Sequence, residues 1–412
     1  MILAKFIKKW ILIFIVLGFD FFIALKTSIA FFYFIFWFLL SLVSFSFIWI
    51  IIEYLTAVIH LERKTPVRVK EDDSLEIRVV IENRGVLPIF NLVLEDFVPC
   101  ADAAGKIKRK LLDFLPSGVS LHLKYGVVCR QRGRYKIGPF MIYYFDPLGL
   151  FYFRRKIKQY SEIYVFPHTF SIRRFPPLLK GVSPWFGIES TRVSGDDDEF
   201  YGIREYKGHD PIKSIHWLSS ARKNKLIVKQ YQRQAFFRAT LLFNLESKNN
   251  FGQGKEKVCE YIIKLAASVS KYLLDAGVAL EIISHTGEFV HILSNKGPEY
   301  LEDVLKFLAL AEAKSKISLG ETFEEFARII PSDTTLIVIM LDKDWVYLPS
   351  ILPLLRRNVS LIPLILISST FQYSFNNVEV VKDMKIKLSK SFNFNPMLIS
   401  RGDNLEEAFL KI

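Results

Sequence analysis

Two long apolar stretches open the chain before any regular alternation of polar and apolar residues begins. Residues 10–25 are apolar except for Asp20, and residues 30–52 carry no charge, which meets the roughly 20-residue length needed to cross a bilayer. The stretches are joined by the short connection 26–28. This pattern predicts a hairpin of two membrane-spanning helices within residues 1–58.

The flanks of this hairpin are basic and its connection holds only Lys26. Since basic residues accumulate on the cytoplasmic side, both termini are expected in the cytoplasm, with the hairpin in the cytoplasmic (inner) membrane. A cleaved signal peptide is the alternative, but Asp20 interrupts the apolar run and a second span follows at once. Asp20 is expected to be an uncharged or interfacial part of the anchor, the alternative being an ion path. The flanking basic residues are Lys5, Lys8, Lys9, Arg63, Lys64, Arg68 and Lys70.

Residues 59–168 change to a period of two. Residues 74–82 and 119–125 alternate apolar and polar positions, as half-buried strands do. Turn residues at 83–85 and 146–149 separate such runs. Several short strands with no helical period between them predict a β-sandwich of about a hundred residues.

After residue 235, apolar strands alternate with amphipathic helices. Nearly continuous apolar strands between helices are typical of a sheet covered on both faces. The pattern therefore predicts a doubly wound α/β domain over residues 236–412, with residues 169–235 as a separate segment before it, so that the chain has several domains. Sites in such a sheet lie beyond the carboxyl ends of the strands. The predicted strands are 239–243, 278–283, 335–340 and 361–367, and the predicted helices are 255–274, 299–311 and 350–356.

Composition and charge narrow the function further. The 412 residues are 51% hydrophobic and carry a net charge of +13, of which +9 falls within 151–238. Anionic lipid headgroups, an acidic partner and internal pairing all fit this charge, whereas nucleic acid fits least because no binding motif accompanies it. Three scattered cysteines are too few for a disulfide scaffold or a zinc site, and a reduced body is expected. The sequence has no phosphate-binding loop, zinc-protease helix or nucleophile elbow, and therefore no residue to name as catalytic.

The segment around residues 195–222 holds the most unusual residues. Asp210 has the place of an N-cap and Pro211 that of a first helical residue, with Asn224 as a candidate left-handed cap at the other end. The favoured interpretation makes the charged residues caps and ion pairs and Trp217 a core anchor. The alternative is a polar recognition surface for a partner. The candidate residues are Arg204, Glu205, Tyr206, Asp210, Trp217 and Arg222.

These residues, with Gly208, Pro211 and Ala221, resemble the signature of the uncharacterised prokaryotic family catalogued as domain of unknown function fifty-eight. Residues 132–139 and 146–150 and the two-helix start resemble that family as well. The resemblance implies a membrane-anchored protein with a C-terminal domain similar to von Willebrand factor A. It also implies a connection with MoxR-type AAA+ ATPases, beside which such proteins are often encoded.

Domains of the von Willebrand type often bind Mg²⁺ at the end of their first strand. The corresponding oxygen donors here are Asn244, Glu246, Thr322 and Asp342, with Lys248 in a position where its ammonium would repel a cation. This candidate site is therefore expected to be degenerate and to hold no metal or other cofactor. We expect a non-enzymatic interaction or scaffold protein that contacts the lipid bilayer and a protein partner in the assembly or maturation of envelope complexes. The alternative is Mg²⁺-dependent, adhesion-type ligand binding.

Overall fold

The chain divides into two compact units, Met1–Phe166 and Pro167–Ile412. Each unit has its own hydrophobic core. The predicted separation of 169–235 from 236–412 stays a prediction. The computed structural model describes residues 2–27, 29–102, 105–176, 178, 180–182, 199–208, 212, 215–232, 235–331, 334–344, 347, 359–372 and 397–410.

The first unit begins with two long helices, α1 (Ile2–Thr27) and α2 (Ala30–Thr56). Within them, Lys9–Thr27 and Ala30–Thr56 are long and apolar enough to cross a membrane, and most of their side chains are not buried by the rest of the protein. The helices pack against each other as a hairpin, with the rings of Phe21 on α1 and Phe36 on α2 tilted at a centre distance of 5.0 Å. This is consistent with the predicted membrane protein of two spans.

A multi-strand sheet domain follows the helices, as predicted. Its strands form three sheets in the orders β1-β3-β6, β2-β10-β7 and β5-β4-β8-β9, and their inward side chains share one core, as in a sandwich. The sequence pattern did not predict β1, β2, β5, β9 or β10. The strands are β1 (Ile59–Lys64), β2 (Arg68–Lys70), β3 (Ser74–Asn83), β4 (Ile89–Phe97), β5 (Ile107–Leu115), β6 (Ser120–Val128), β7 (Gly133–Ile137), β8 (Phe140–Phe145), β9 (Tyr152–Ile157) and β10 (Ser161–Phe166).

A buried ion pair crosses this core. The guanidinium of Arg63 on β1 donates from Nε to Asp96 Oδ2 on β4 at 3.0 Å and from Nη2 to Oδ1 at 2.5 Å. Its Nη1 donates to the carbonyl of Ile137 at 3.1 Å, and its plane lies 4.0 Å from the ring centre of Phe140. The Tyr125 hydroxyl donates to the same carboxylate. One side chain thus ties β1 to β4, β7 and β8.

The structure corrects the expectation of a fully reduced body. Cys100 and Cys129 form a disulfide with a Cα–Cα distance of 4.9 Å, within the range usual for such bonds. Both residues are buried, and the third cysteine, Cys259, is free and buried. The bond joins the loop after β4 to the end of β6 across 29 residues of chain, a pairing that the sequence spacing did not indicate.

The spans join the sheet domain without a linker. Only Ala57 and Val58 separate α2 from β1. Arg155 on β9 donates to the carbonyls of Tyr54 at 2.7 Å and Ala57 at 2.8 Å, and Glu53 Oε1 accepts from the backbone N–H of Phe90 at 2.8 Å. The last two turns of α2 are therefore held by strands of the domain.

The second unit is built around a mostly parallel sheet in the order β16-β15-β14-β17-β18-β19, with β11 beside β14. Edge strand β16 is antiparallel to β15, whereas β14, β15, β17, β18 and β19 are mutually parallel. Strands β12 and β13 form a separate, two-stranded antiparallel sheet. The strands are β11 (Lys180–Val182), β12 (Glu199–Glu205), β13 (Ile227–Gln232), β14 (Ala235–Asn244), β15 (Ala279–His285), β16 (Phe289–Asn295), β17 (Thr335–Leu341), β18 (Ser360–Leu366) and β19 (Met397–Ile399).

Helices cover both faces of this sheet, which confirms the predicted α/β region. Leu241 and Phe243 face one core with α4 and α5, while the intervening Leu242 faces a second core with α6, because neighbouring strand residues point to opposite faces. The predicted helix at 350–356 lies outside the described residues. The helices are α3 (Trp217–Lys223), α4 (Val258–Asp275), α5 (Pro298–Leu310), α6 (Leu319–Phe326), α7 (Ser368–Phe371) and α8 (Leu405–Ala408).

Candidate functional site

A small cavity opens where β14 and β17 end, the two central strands between which the order of the parallel strands reverses. In open α/β sheets this point is where ligands bind. The cavity has a volume of about 20 Å³ and is lined by Asn244 and Glu246 after β14, by Asn249, and by Asp344 after β17. A cavity of this volume has room for about one water molecule. It can hold a water or a small ion but no organic substrate.

Two of the four predicted metal donors line this cavity. Asn244 is buried, and its Nδ2 donates to the carbonyl of Ile317 at 2.8 Å, whereas its Oδ1 has no hydrogen-bond partner among the described residues. Glu246 Oε2 accepts from Asn249 Nδ2 at 2.7 Å. Burial raises the pKa of the Glu246 carboxyl, opposed by the positive charge of Lys248. The charge of Lys248 therefore acts on the Glu246 carboxyl, one of the predicted metal donors.

The other two predicted donors are directed elsewhere. The Thr322 hydroxyl, on α6, donates to the carbonyl of Ser318 one turn earlier at 2.8 Å. Asp342 Oδ1 accepts from the backbone N–H of Ser368 at 3.1 Å. Neither residue lines the cavity. Their side chains stabilise a helix turn and a strand connection instead.

Asp344 is the cavity residue that the sequence analysis missed. It is buried, and its Oδ2 accepts from the backbone N–H of Leu341 at 3.0 Å. Burial, together with the nearby carboxylates of Glu246 and Asp342, raises the pKa of Asp344 to about 6. Its position two residues after Asp342, at the end of a buried strand, was the available signal. Within the described ranges, no three His, Cys, Asp or Glu side chains are placed to hold a metal ion together.

The predicted signature residues lie on a second element, formed by β12, α3 and β13 and here called the signature element. Arg204 and Glu205 end β12, and Tyr206 donates its backbone N–H to the carbonyl of Leu226 at 2.9 Å. Glu205 forms an exposed ion pair with Lys225 at 3.0 Å, in line with the structural interpretation of that residue. Arg222 lies in the last turn of α3. Asp210 and Pro211 lie outside the described residues.

The helix of this element is shorter than predicted. It begins at Trp217, because Ile215 pairs with Val228 in a β-bridge and the side chain of His216 caps the helix by accepting from the N–H of Ser219. Asn224 ends it in the left-handed conformation, with φ of 50°, as predicted. Ser220 faces inward, where its hydroxyl accepts from the N–H of Ile227 at 2.9 Å.

Trp217 is not the core anchor that the sequence analysis favoured. Ser220 is the buried residue of α3, and its hydroxyl is bonded to the backbone of β13 at Ile227, whereas Trp217 and Leu218 point outward. Trp217 is 65% exposed and Leu218 is 63% exposed. Ile203, Ile212 and Leu226 of the same element are also exposed. The basic residues Arg222, Lys223 and Lys225 are exposed beside them in sequence.

Comparison with solved structures and with curated proteins indicates no activity for this chain. The chain is similar to the CARDB domain of the PF1109 protein from Pyrococcus furiosus, at 15% identity over 27% of this chain and 94% of that one, with a TM-score of 0.20. It is similar to the alkylpurine DNA glycosylase AlkC of Pseudomonas fluorescens, at 14% identity over 27% of this chain and 30% of that one, with a TM-score of 0.17. Likenesses this weak carry no argument about fold or function. Comparison with curated proteins found no match.

The family model described as protein of unknown function DUF58 matches residues 202–352. The match begins in β12, includes α3 with Trp217 and Arg222, and extends past the end of β17. It therefore covers both the signature element and the residues of the cavity. This match supports the resemblance of the chain to the DUF58 family of proteins of unknown function.

Proposed function

We propose that this protein is a membrane-anchored, non-enzymatic interaction protein whose signature element binds a partner protein. The observation that carries this proposal is the exposure of Trp217 and Leu218 on a helix that the fold holds in place through its other side. Large apolar side chains in a basic surround mark binding surfaces more often than ordinary surface. Trp and Arg are also the residue types most enriched among the dominant contacts of protein interfaces.

The chemistry of this surface indicates the kind of partner. Trp217 and Leu218 fit an apolar pocket on the partner, and the exposed Arg222 and Lys223 fit an acidic rim around that pocket. The family resemblance suggests a MoxR-type AAA+ ATPase as that partner, in the assembly or maturation of envelope complexes. The fold resembles von Willebrand factor A: the strand order of the second unit, with its antiparallel edge strand β16, supports this interpretation.

A binding measurement with matched leucine variants tests the proposal. Leu218→Ala and Leu293→Ala each remove an exposed leucine of the second unit, the latter 72% exposed on edge strand β16. The full chain in detergent is immobilised, and binding of the purified MoxR-type ATPase from the same organism is measured with and without nucleotide. We expect Trp217→Ala and Leu218→Ala to weaken binding at least tenfold, a loss typical of buried interface anchors, and Leu293→Ala to leave it unchanged. Equal binding by all variants would refute the proposed surface, and no binding by the wild type would refute the proposed partner.

The location of this function is proposed to be the cytoplasmic face of the inner membrane, with both termini inside. The distribution of lysine and arginine around the spans supports this orientation. Protease added to intact spheroplasts should leave a C-terminal epitope tag intact, and should remove it once the membrane is permeabilised. Loss of the tag in intact spheroplasts would contradict the orientation.

A second candidate function is Mg²⁺-dependent ligand binding at the cavity. The buried Asn244 Oδ1, which lacks a partner among the described residues, favours it, together with the carboxylates of Glu246 and Asp344 beside it. Hard divalent cations prefer such oxygen donors. Calorimetry of the full chain with Mg²⁺ or Mn²⁺ separates the two candidates: micromolar binding that is lost in Glu246→Ala would favour the second, and no heat change would favour the first.

A further inference from the structure

We propose that the turn between β8 and β9, residues 146–151, is inserted into the membrane interface, where Leu148 contacts phospholipid. This inference rests on the proposed crossing of the bilayer by α1 and α2 and adds a third point of membrane contact, made by the sheet domain itself. The turn has the sequence Asp-Pro-Leu-Gly-Leu-Phe, and its only charged side chain, Asp146, is buried. Leu148 at its tip is 48% exposed.

The turn lies beside the two spans. Lys9, the first residue of the first candidate span, donates from Nζ to the carbonyls of Leu148 at 3.2 Å and Gly149 at 2.9 Å. Trp10 donates from Nε1 to the carbonyl of Leu150 at 3.1 Å. Lysine and tryptophan at the end of a span are the residues that mark the membrane–water interface. The turn therefore lies at the depth of that interface.

Aromatic contacts with α2 place the turn at the same depth in the membrane. Phe151 lies 5.0 Å from the ring of Trp10 on α1 and 5.1 Å from that of Phe47 on α2. Phe47 is nine residues before the end of α2 at Thr56, which corresponds to about 14 Å along a helix. The part of α2 from Ala30 to Phe47 thus matches the apolar length of α1, and the rest of α2 lies alongside the sheet domain.

Backbone N–H and C=O groups of the turn are hydrogen-bonded within the protein. The Asp146 carboxylate accepts hydrogen bonds from the backbone N–H groups of Leu148 at 3.0 Å and Phe151 at 2.6 Å. The backbone carbonyl of Asp146 accepts a hydrogen bond from the N–H of Gly149 at 2.9 Å. Pro147 has no N–H to satisfy. Together with the bonds from Lys9 and Trp10, these bonds pair most of the backbone N–H and C=O groups of the turn. Pairing of backbone polar groups lowers the cost of moving a turn from water towards lipid.

Gly149 gives the turn its backbone conformation. Its φ of +62° is a left-handed conformation that residues with a side chain rarely adopt. The turn can therefore fold back so that its carbonyls meet Lys9 while Leu148 faces outward.

Site-specific fluorescence in vesicles tests the proposal. The full-length protein is labelled with a polarity-sensitive fluorophore at single introduced cysteines and reconstituted in phosphatidylcholine–phosphatidylglycerol vesicles. Quenching by spin-labelled lipid is then compared with quenching by aqueous iodide. The positions are Leu148→Cys in the turn, Phe38→Cys within α2, Val86→Cys and Val67→Cys. Val86 and Val67 are matched controls, 87% and 67% exposed: Val86 lies in the β3–β4 turn near the end of α2, and Val67 lies beyond the far end of β1.

We expect Leu148→Cys and Phe38→Cys to be quenched by lipid, with several-fold lower iodide quenching than Val67→Cys. Val86→Cys should resemble Val67→Cys, because it lies near Thr56 rather than at the depth of Phe47. Iodide access at Leu148 equal to that at Val67, with Phe38 quenched by lipid, would overturn the inference while leaving the spans intact. Lack of lipid quenching at Phe38 would overturn the spanning hairpin itself. Wild-type protein gives the labelling background, and the exposed Pro147→Cys replaces Leu148→Cys if that variant has a lowered unfolding temperature.

Discussion

Removing the Arg63 side chain should strongly destabilise the sheet domain. Arg63→Ala deletes both bonds to the Asp96 carboxylate, the bond to the Ile137 carbonyl and the stacking on Phe140. The Arg63 side chain is fully buried and that of Asp96 nearly so. The variant therefore leaves a carboxylate in the core with the Tyr125 hydroxyl as its remaining side-chain partner among those described above.

The size of the effect follows from that uncompensated charge. Breaking a buried ion pair by removing one partner costs about 3–5 kcal/mol, whereas an exposed pair contributes about 0–1 kcal/mol. Arg134 supplies the matched control, since its pair with Glu162 at 2.7 Å is half exposed on both sides. Arg63→Ala should thus accelerate exchange of the most protected amides about 100- to 5,000-fold, and Arg134→Ala by about fivefold at most.

These exchange rates are measured by hydrogen–deuterium exchange of the full chain in micelles, in the peptides that contain Leu92 and Leu94 of β4. The effect should also depend on pH. Without Arg63, burial holds the pKa of Asp96 further above its ordinary value, so the folded variant keeps a proton that the unfolded chain loses. Its free energy of unfolding then falls as pH rises from the ordinary pKa to the raised one. Similar exchange in Arg63→Ala and Arg134→Ala at neutral pH would refute the reasoning.

Two further predictions concern buried groups. Because burial raises the pKa of Asp344 to about 6, the free energy of unfolding of the second unit should fall by about 2–3 kcal/mol between pH 4 and pH 7 on account of this group. Asp344→Asn should abolish that part of the decline and be the more stable protein at pH 7, as measured by exchange of β17 amides; an unchanged pH profile would contradict it. Replacing both Cys100 and Cys129 by Ser should lower the stability of the sheet domain by about 3–4 kcal/mol, from the entropy of closing a 29-residue loop. A reductant should lower the stability of the wild-type sheet domain by a similar amount and leave that of the double variant unchanged. Equal loss of stability in the two proteins on reduction would contradict the prediction.

Elements with a clean hydrophobic pattern were predictable from the sequence. The helical hairpin was predictable from the length of its two apolar runs. Strands such as β3 and β17 and helices α4 and α5 were predictable from apolar positions that are largely buried in the structure. Strand β1 was missed because its inward positions include Arg63, whose partner Asp96 is 33 residues away. Strand β5 was missed because only Leu112 and Leu115 of its nine residues are buried.

The sites were less predictable, because they depend on contacts between distant segments. The pattern at Trp217 could not show that the helix begins only at Trp217 and turns Ser220, bonded to Ile227, to its buried side. Thr322 has the residue type of a ligand, but its hydroxyl bonds within its own helix. The cavity at Asn244 could be placed at the end of the first central strand, whereas the contribution of Asp344 required the fold of the loop after β17.

The direct passage from α2 into β1 has a mechanical consequence. Two residues, Ala57 and Val58, leave no hinge, and the bonds of Arg155 and Glu53 fix the angle at which the strands leave the helix. The sheet domain must therefore tilt whenever the hairpin tilts. A change in bilayer thickness that reorients the helices would swing the outer end of this domain through an arc, so that lipid composition can set the orientation of the sheet domain.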